Sequence, residues 1–131
     1  MTRTIAVDTN IIARFLLADH PQLHAESTEI FKRCQDGETR VFVDPIIIAE
    51  TVWLLSSYYQ QSKAAISKQL VDFLTPDWII CSAKNQLLSA LDLYQKTSFN
   101  FVDCWLATIC RAKKIQLTTF DASLNKLAGN S

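Results

Sequence analysis

Thr4-Ile5-Ala6-Val7-Asp8-Thr9-Asn10-Ile11-Ile12-Ala13-Arg14-Phe15-Leu16 is the stretch that decides the fold. It opens with a short β-prone run, passes through three residues suited to turns and caps, and continues with Ile11, Ile12, Phe15 and Leu16 at helical spacing. Strand, turn and helix follow one another without a linker.

The same alternation extends outward along the chain. Pro21 suits a first helical position, and the helix it starts runs to Cys34 before Gly37 stops it. Arg40 to Val43 is a second strand, ending at Asp44-Pro45. Ile46 to Tyr59 is nearly all apolar and too long for a strand, which predicts a buried helix. Ser62 or Lys63 to Leu74 is amphipathic. Pro76 precedes Trp78-Ile79-Ile80-Cys81, a third strand, after which Ser82 is placed to cap a helix striped by Leu87, Leu88, Leu91 and Tyr94. Phe101 to Lys113 reads as a further helix, Gln116 to Thr118 as a fourth strand, and Asp121 to Leu127 as a last short helix.

Strands separated by helices imply parallel βαβ units with right-handed crossovers. The expected fold is an α/β single domain over residues 1–131, a three-layer α/β/α sandwich around a parallel sheet of four or five strands.

Composition narrows the function. With 131 residues, 49% of them hydrophobic, the chain suffices for one domain with its own core. Thirteen basic residues balance thirteen acidic ones, so contact with a polyanion has to come from a local patch or from metal ions. The four cysteines form no CxxC pair and sit in apolar sequence, as buried thiols in a reducing cytoplasm do. Met1 to Val7 has too short an apolar run for a signal peptide, and no apolar run reaches about 18 residues. A soluble cytoplasmic protein without membrane contact is expected. With only two glycines there is no phosphate-cradling loop or dinucleotide fingerprint. His20 and His24 lack the glutamate of a metalloprotease motif, and no serine lies in a nucleophile-elbow context.

The informative acids stand where hydrophobic chemistry would not put them. Asp8 follows the first strand and Asp121 follows the expected fourth, while Asp103 lies early in its helix. Glu50 is flanked by Ile46-Ile47-Ile48-Ala49 and Thr51-Val52-Trp53-Leu54-Leu55, which makes a solvated position unexpected. In a parallel sheet the strand C-termini share one edge, so these acids can converge although distant in sequence. Four clustered carboxylates need countercharge, and an all-oxygen set favours Mg²⁺ or Mn²⁺, ions suited to phosphodiester hydrolysis. Each acid also has a simpler reading, as a helix N-cap for Asp8 and Asp121 and as a partner of the helix dipole for Asp103. Thr9, Asn10, Thr118 and Thr119 either hold these acids in register or cap helices. Arg14, one turn after Asn10, is the candidate for a substrate phosphate. Asp44, beside Pro45, reads first as a turn residue, the alternative being a place at the rim of the same edge.

Val7-Asp8-Thr9-Asn10-Ile11-Ile12-Ala13-Arg14-Phe15-Leu16, Ile48-Ala49-Glu50-Thr51-Val52-Trp53, Asn100-Phe101-Val102-Asp103 and Thr118-Thr119-Phe120-Asp121 together resemble a PIN domain, in particular the VapC-type ribonuclease toxins. The similarity runs in order from about Ile5 to Leu127. The resemblance implies Mg²⁺ or Mn²⁺ held by Asp8, Glu50, Asp103 and Asp121, and cleavage of single-stranded RNA by a metal-activated water. It also implies a homodimer silenced by a small VapB-type antitoxin. Asn100 stands where many relatives carry an acid, which bears on whether one or two ions bind. A non-catalytic PIN-like binding module is the main alternative. A phospho-accepting receiver domain fits less well, because Asp8 follows valine and the third strand ends in Cys81-Ser82.

Overall fold

A computed structural model describes residues 2–129. Three parallel strands lie in the order β1 (Arg3–Ala6), β2 (Thr39–Phe42) and β3 (Ile79–Ile80). Ile5 pairs with Val41, and Val41 with Ile79, so the central strand carries the core through the sheet. Thr39 and Val41 are buried while Arg40 and Phe42 between and after them are exposed, so β2 turns one face to the core.

Helices fill the connections. α1 (Thr9–Leu17) and α2 (Pro21–Gln35) join β1 to β2, and α3 (Pro45–Trp53) and α4 (Lys63–Leu74) join β2 to β3. After β3 come α5 (Lys84–Lys96), α6 (Phe101–Lys113) and α7 (Ala122–Leu127). Gly37 adopts φ +81° directly after α2, a left-handed conformation that glycine takes without steric cost. Phe31 of α2 meets Phe15 of α1, Phe73 of α4 and Trp78 beside β3 at centroid distances of 4.6, 5.4 and 5.9 Å. That aromatic cluster ties the helices to one side of the sheet. Elsewhere, Ile66, Leu70 and Leu74 of α4 are fully buried along with Leu87 and Leu91 of α5. Their spacing of four marks the facing stripes of two packed helices. The one hydroxyl buried in that seam, Ser67, donates to the Leu91 carbonyl at 3.1 Å and so avoids an unpaired polar group.

The α/β fold with a parallel sheet agrees with the sequence, but the sheet is narrower than expected. Gln116 to Thr118 is not a strand, and β1 and β3 are the two edges of the sheet among the described residues. In that stretch Gln116 and Thr118 are exposed and only Leu117 turns inward. It joins a small separate cluster with Ala107, Cys110, Leu124 and Ala128, so the segment is anchored to α6 and α7. The helix expected over Ile46 to Tyr59 is also less uniform. It is α-helical only to Trp53 and continues as a π-helical turn, Leu54–Tyr58, closed by the Tyr59 N–H donating to the Leu54 carbonyl at 3.2 Å. Ser82 does not cap α5; the cap position is Ala83, without a side-chain hydrogen bond. The cysteines are free, three of them buried.

Candidate active site

Because β1 and β2 are parallel, Asp8 and Asp44 emerge at the same edge of the sheet, each two residues beyond its strand. Both cap the helix that follows. Asp8 Oδ1 accepts from the Ile11 N–H at 3.1 Å, and Asp44 Oδ1 from the Ile46 N–H at 2.9 Å. A groove of about 470 Å³ at this edge is lined by both aspartates with Phe42 and Ile47. Asp44, read from sequence as a turn residue at the rim, therefore caps α3 and shares the edge with Asp8.

On its other side Asp8 opens into a second cleft of about 320 Å³, lined also by Thr9, Asn10, Glu50, Trp53 and Leu54. Glu50 reaches this cleft because α3 turns Ile46, Glu50 and Trp53 outward on one face, at spacings of four and three residues. Ile46 is 70% exposed and Trp53 64%. The expectation that apolar flanks bury Glu50 is thus corrected: the opposite face, Ile48, Thr51 and Val52, enters the core and the acid faces solvent. A solvated carboxylate carries no desolvation penalty and is accessible to a ligand.

Thr9 gives the cleft its distinctive feature. It is 94% buried by complement of its 6% exposure, and its Oγ1 has no hydrogen-bond partner. An orphaned buried hydroxyl costs roughly 1–3 kcal/mol, and polar groups left in this state commonly mark a ligand or ion position. The acids that line this cleft, Asp8 with one oxygen free and Glu50 unpaired, offer oxygen donors only, as does Thr9. That set fits Mg²⁺ or Mn²⁺ and does not fit a soft-ligand metal.

The structure brings together two of the four acids singled out from sequence. Asp103 lies in the first turn of α6, where its N–H donates to Asn100 Oδ1 at 2.8 Å. Asp121 caps α7, accepting from the Leu124 N–H at 3.0 Å. Neither lines the cleft of Asp8 and Glu50. Among the described residues no group of three or more His, Cys, Asp or Glu side chains is gathered to hold a metal. α6, which carries Asp103, packs against both α3 and α7, the elements that carry Glu50 and follow Asp121.

The neighbouring polar residues divide similarly. Asn100 caps α6, and Thr119 Oγ1 accepts from the Asp121 N–H at 3.1 Å, so both fix the backbone of an acid. Asn10 lines the cleft, and Thr118 is exposed. Arg14 is bound to Asp19, donating to its two oxygens at 3.1 and 3.2 Å, which commits its charge away from the cleft. His20 caps α2 through Nδ1, and His24 Nδ1 meets the Arg14 carbonyl at 3.0 Å, so each histidine has a structural role. Sequence reasoning missed Trp53; its position three residues after Glu50, on the same helix face, was the available signal.

No described helix is long and apolar enough to cross a membrane. No curated protein and no solved structure matches the chain. The PIN domain model does match, over residues 5–130. The chain thus belongs to the PIN domain family, whose members are generally nucleases that act on nucleic acids and use divalent metals.

Proposed function

We propose that this PIN domain is a divalent-metal-dependent endoribonuclease, in which Asp8, Glu50, Asp103 and Asp121 hold Mg²⁺ or Mn²⁺. The observation that carries the reading is the cleft at the C-terminal edge of the sheet, which Asp8 and Glu50 line together with Thr9 and its unpartnered buried hydroxyl. When bound, the metal supplies neutralisation of phosphate charge and acidification of water. The chain's own residues set where that happens. Ile11 N–H fixes Asp8 by one oxygen and leaves the other for ligation. Asn100 and Thr119 hold the backbones of Asp103 and Asp121. A net charge of zero fits this division of labour, since the cation and not a basic surface offsets the polyanion.

The resemblance to VapC-type toxins extends the reading to a toxin paired with a VapB-type antitoxin, acting as a cytoplasmic homodimer. Apolar side chains left exposed around the acids support association at this face. They are Ile46 on α3 and Leu106 on α6.

The test is cleavage of mixed cellular RNA by purified protein with Mg²⁺, Mn²⁺ or EDTA, alongside Asp8→Asn. Metal-dependent cutting that the variant loses is the expected result; equal cutting by a folded variant refutes the assignment. Sedimentation of the protein, alone and mixed with the product of a short neighbouring reading frame, tests the dimer and the antitoxin.

A further inference from the structure

A second cleft adjoins the acidic one. Its volume is about 390 Å³, within the range typical of small-ligand sites. Trp53 lines both clefts, so the two lie on either side of one side chain. We propose that this cleft is a subsite for one unstacked nucleobase of the RNA strand, adjacent to the phosphate held at Asp8 and Glu50. The proposal rests on the ribonuclease reading above and deepens it.

Three features of the cleft point to a base. Its walls are aromatic, with Trp53, Phe99, Tyr94 and Phe101 among the lining residues, and base–aromatic stacking is the sequence-tolerant way proteins hold single-stranded RNA. Trp53 is 64% exposed, and among the described residues no ring pairs with it, so its face is open for stacking. Polar side chains line the cleft as well. Ser56 and Ser57 come from the π-helical turn, and Asn100 from the cap of α6.

Charge completes the fit. No Asp or Glu lines this cleft, and its one charged residue is Lys63. Lys63 Nζ lies 4.4 Å from the centre of the Tyr94 ring and donates to the Thr97 and Phe99 carbonyls, which pins the Thr97 to Phe101 segment against the wall. The acidic cleft repels a polyanion without its metal, whereas this one does not. A second copy of the chain seated on Trp53 is the competing occupant.

The test uses single-stranded RNA 12-mers carrying one abasic ribose at each position in turn near the cut, with wild type, Trp53→Ala and Trp53→Phe. An abasic ribose within two nucleotides of the cut should lower kcat/KM by roughly 5- to 150-fold in wild type. The same substitution should cost Trp53→Ala nothing, and Trp53→Phe should keep most of the discrimination. Anisotropy of labelled intact 12-mers in EDTA reads binding separately from cleavage. Cleavage with equal abasic penalties in wild type and Trp53→Ala overturns the subsite and leaves the nuclease standing. Base-dependent binding lost in Trp53→Ala, without cleavage by any form, supports the subsite and overturns the nuclease. Neither binding nor cleavage overturns both. Trp53→Ala that sediments as a monomer from a wild-type dimer, with abasic penalties unchanged, assigns the surface to a second copy and overturns the proposal.

Discussion

The two ends of α1 carry opposite kinds of polar chemistry. At the C-terminal end the groups satisfy one another. Arg14 donates to both oxygens of Asp19, the Tyr59 hydroxyl donates to Asp19 Oδ2 at 3.2 Å, and the Arg14 carbonyl meets His24. At the N-terminal end they do not: Asp8 retains a free oxygen, Thr9 Oγ1 is buried without a partner, and Glu50 faces the same cleft unpaired. A satisfied network is complete without a ligand, whereas an unsatisfied one stays strained until a ligand arrives. One helix thus separates groups bonded to one another from the groups to which we assign the chemistry.

The largest expected effects follow from cutting each end in turn. Asp8→Asn and Glu50→Gln should each lower metal-dependent RNA cleavage by about 10³-fold, because each removes a charge from the proposed cation site. Asp19→Asn should cleave at the wild-type rate and melt earlier. Initial rates on one RNA, read beside melting curves, check all three. If Asp19→Asn loses as much activity as Asp8→Asn, the separation between the two ends collapses.

Metal linkage sharpens the same contrast. Mn²⁺ at about 100 times its Kd should stabilise the folded protein by about 2.7 kcal/mol. Asp8→Asn should abolish that gain and Asp19→Asn should keep it. Calorimetric melting with Mn²⁺ and with EDTA makes the comparison, and a gain that survives in Asp8→Asn places the ion elsewhere.

Thr9→Val isolates the orphaned hydroxyl. The substitution keeps the branched shape and removes an unsatisfied buried oxygen, so the metal-free protein should gain about 1 kcal/mol or more. The gain conferred by Mn²⁺ should shrink. A metal-free variant less stable than wild type would show that the hydroxyl already has a partner in solution.

Much of this was legible in the sequence, and the exceptions have physical causes. Asp8 could be placed at a strand end because Thr4 to Val7 and Ile11 to Leu16 differ in period. Asp8 and Asp121 were each readable as caps and prove to be caps, which leaves one carboxylate oxygen apart from that role. Glu50 was misjudged because periodicity cannot be read where both faces of a helix are apolar: Ile46 and Trp53 look like core and lie in solvent. The fourth strand failed because a β-prone run becomes a strand only by pairing, and Leu117 is drawn instead to Ala107 and Leu124. The partnership of Arg14 with Asp19 and Tyr59 depends on residues as distant as 40 positions in the chain, beyond local pattern.

The smallest effect lies in the pH dependence of the satisfied end. Burial pushes the Asp19 carboxyl upward, but the Tyr59 hydroxyl and the Arg14 guanidinium outweigh it and hold the group below its ordinary value. Burial, followed by the bond to Asp19, raises Tyr59. A depressed carboxylate contributes stability that is present above its unfolded pKa and lost as pH falls through the folded one. A raised tyrosine contributes stability that is present below its unfolded pKa and lost as pH rises through the folded one. The Tm difference between wild type and Asp19→Asn should therefore be steady near neutrality and shrink as pH falls below the ordinary carboxylate range, with a second decline as pH rises past the ordinary tyrosine range. Tyr59→Phe should remove the alkaline decline and leave the acid one. The difference stays modest throughout, since Arg14 and Asp19 are 31% and 38% exposed and water screens their attraction. A difference that persists undiminished in acid would mean that Asp19 acts by shape and not by charge, and the C-terminal end of α1 would then owe its order to packing alone.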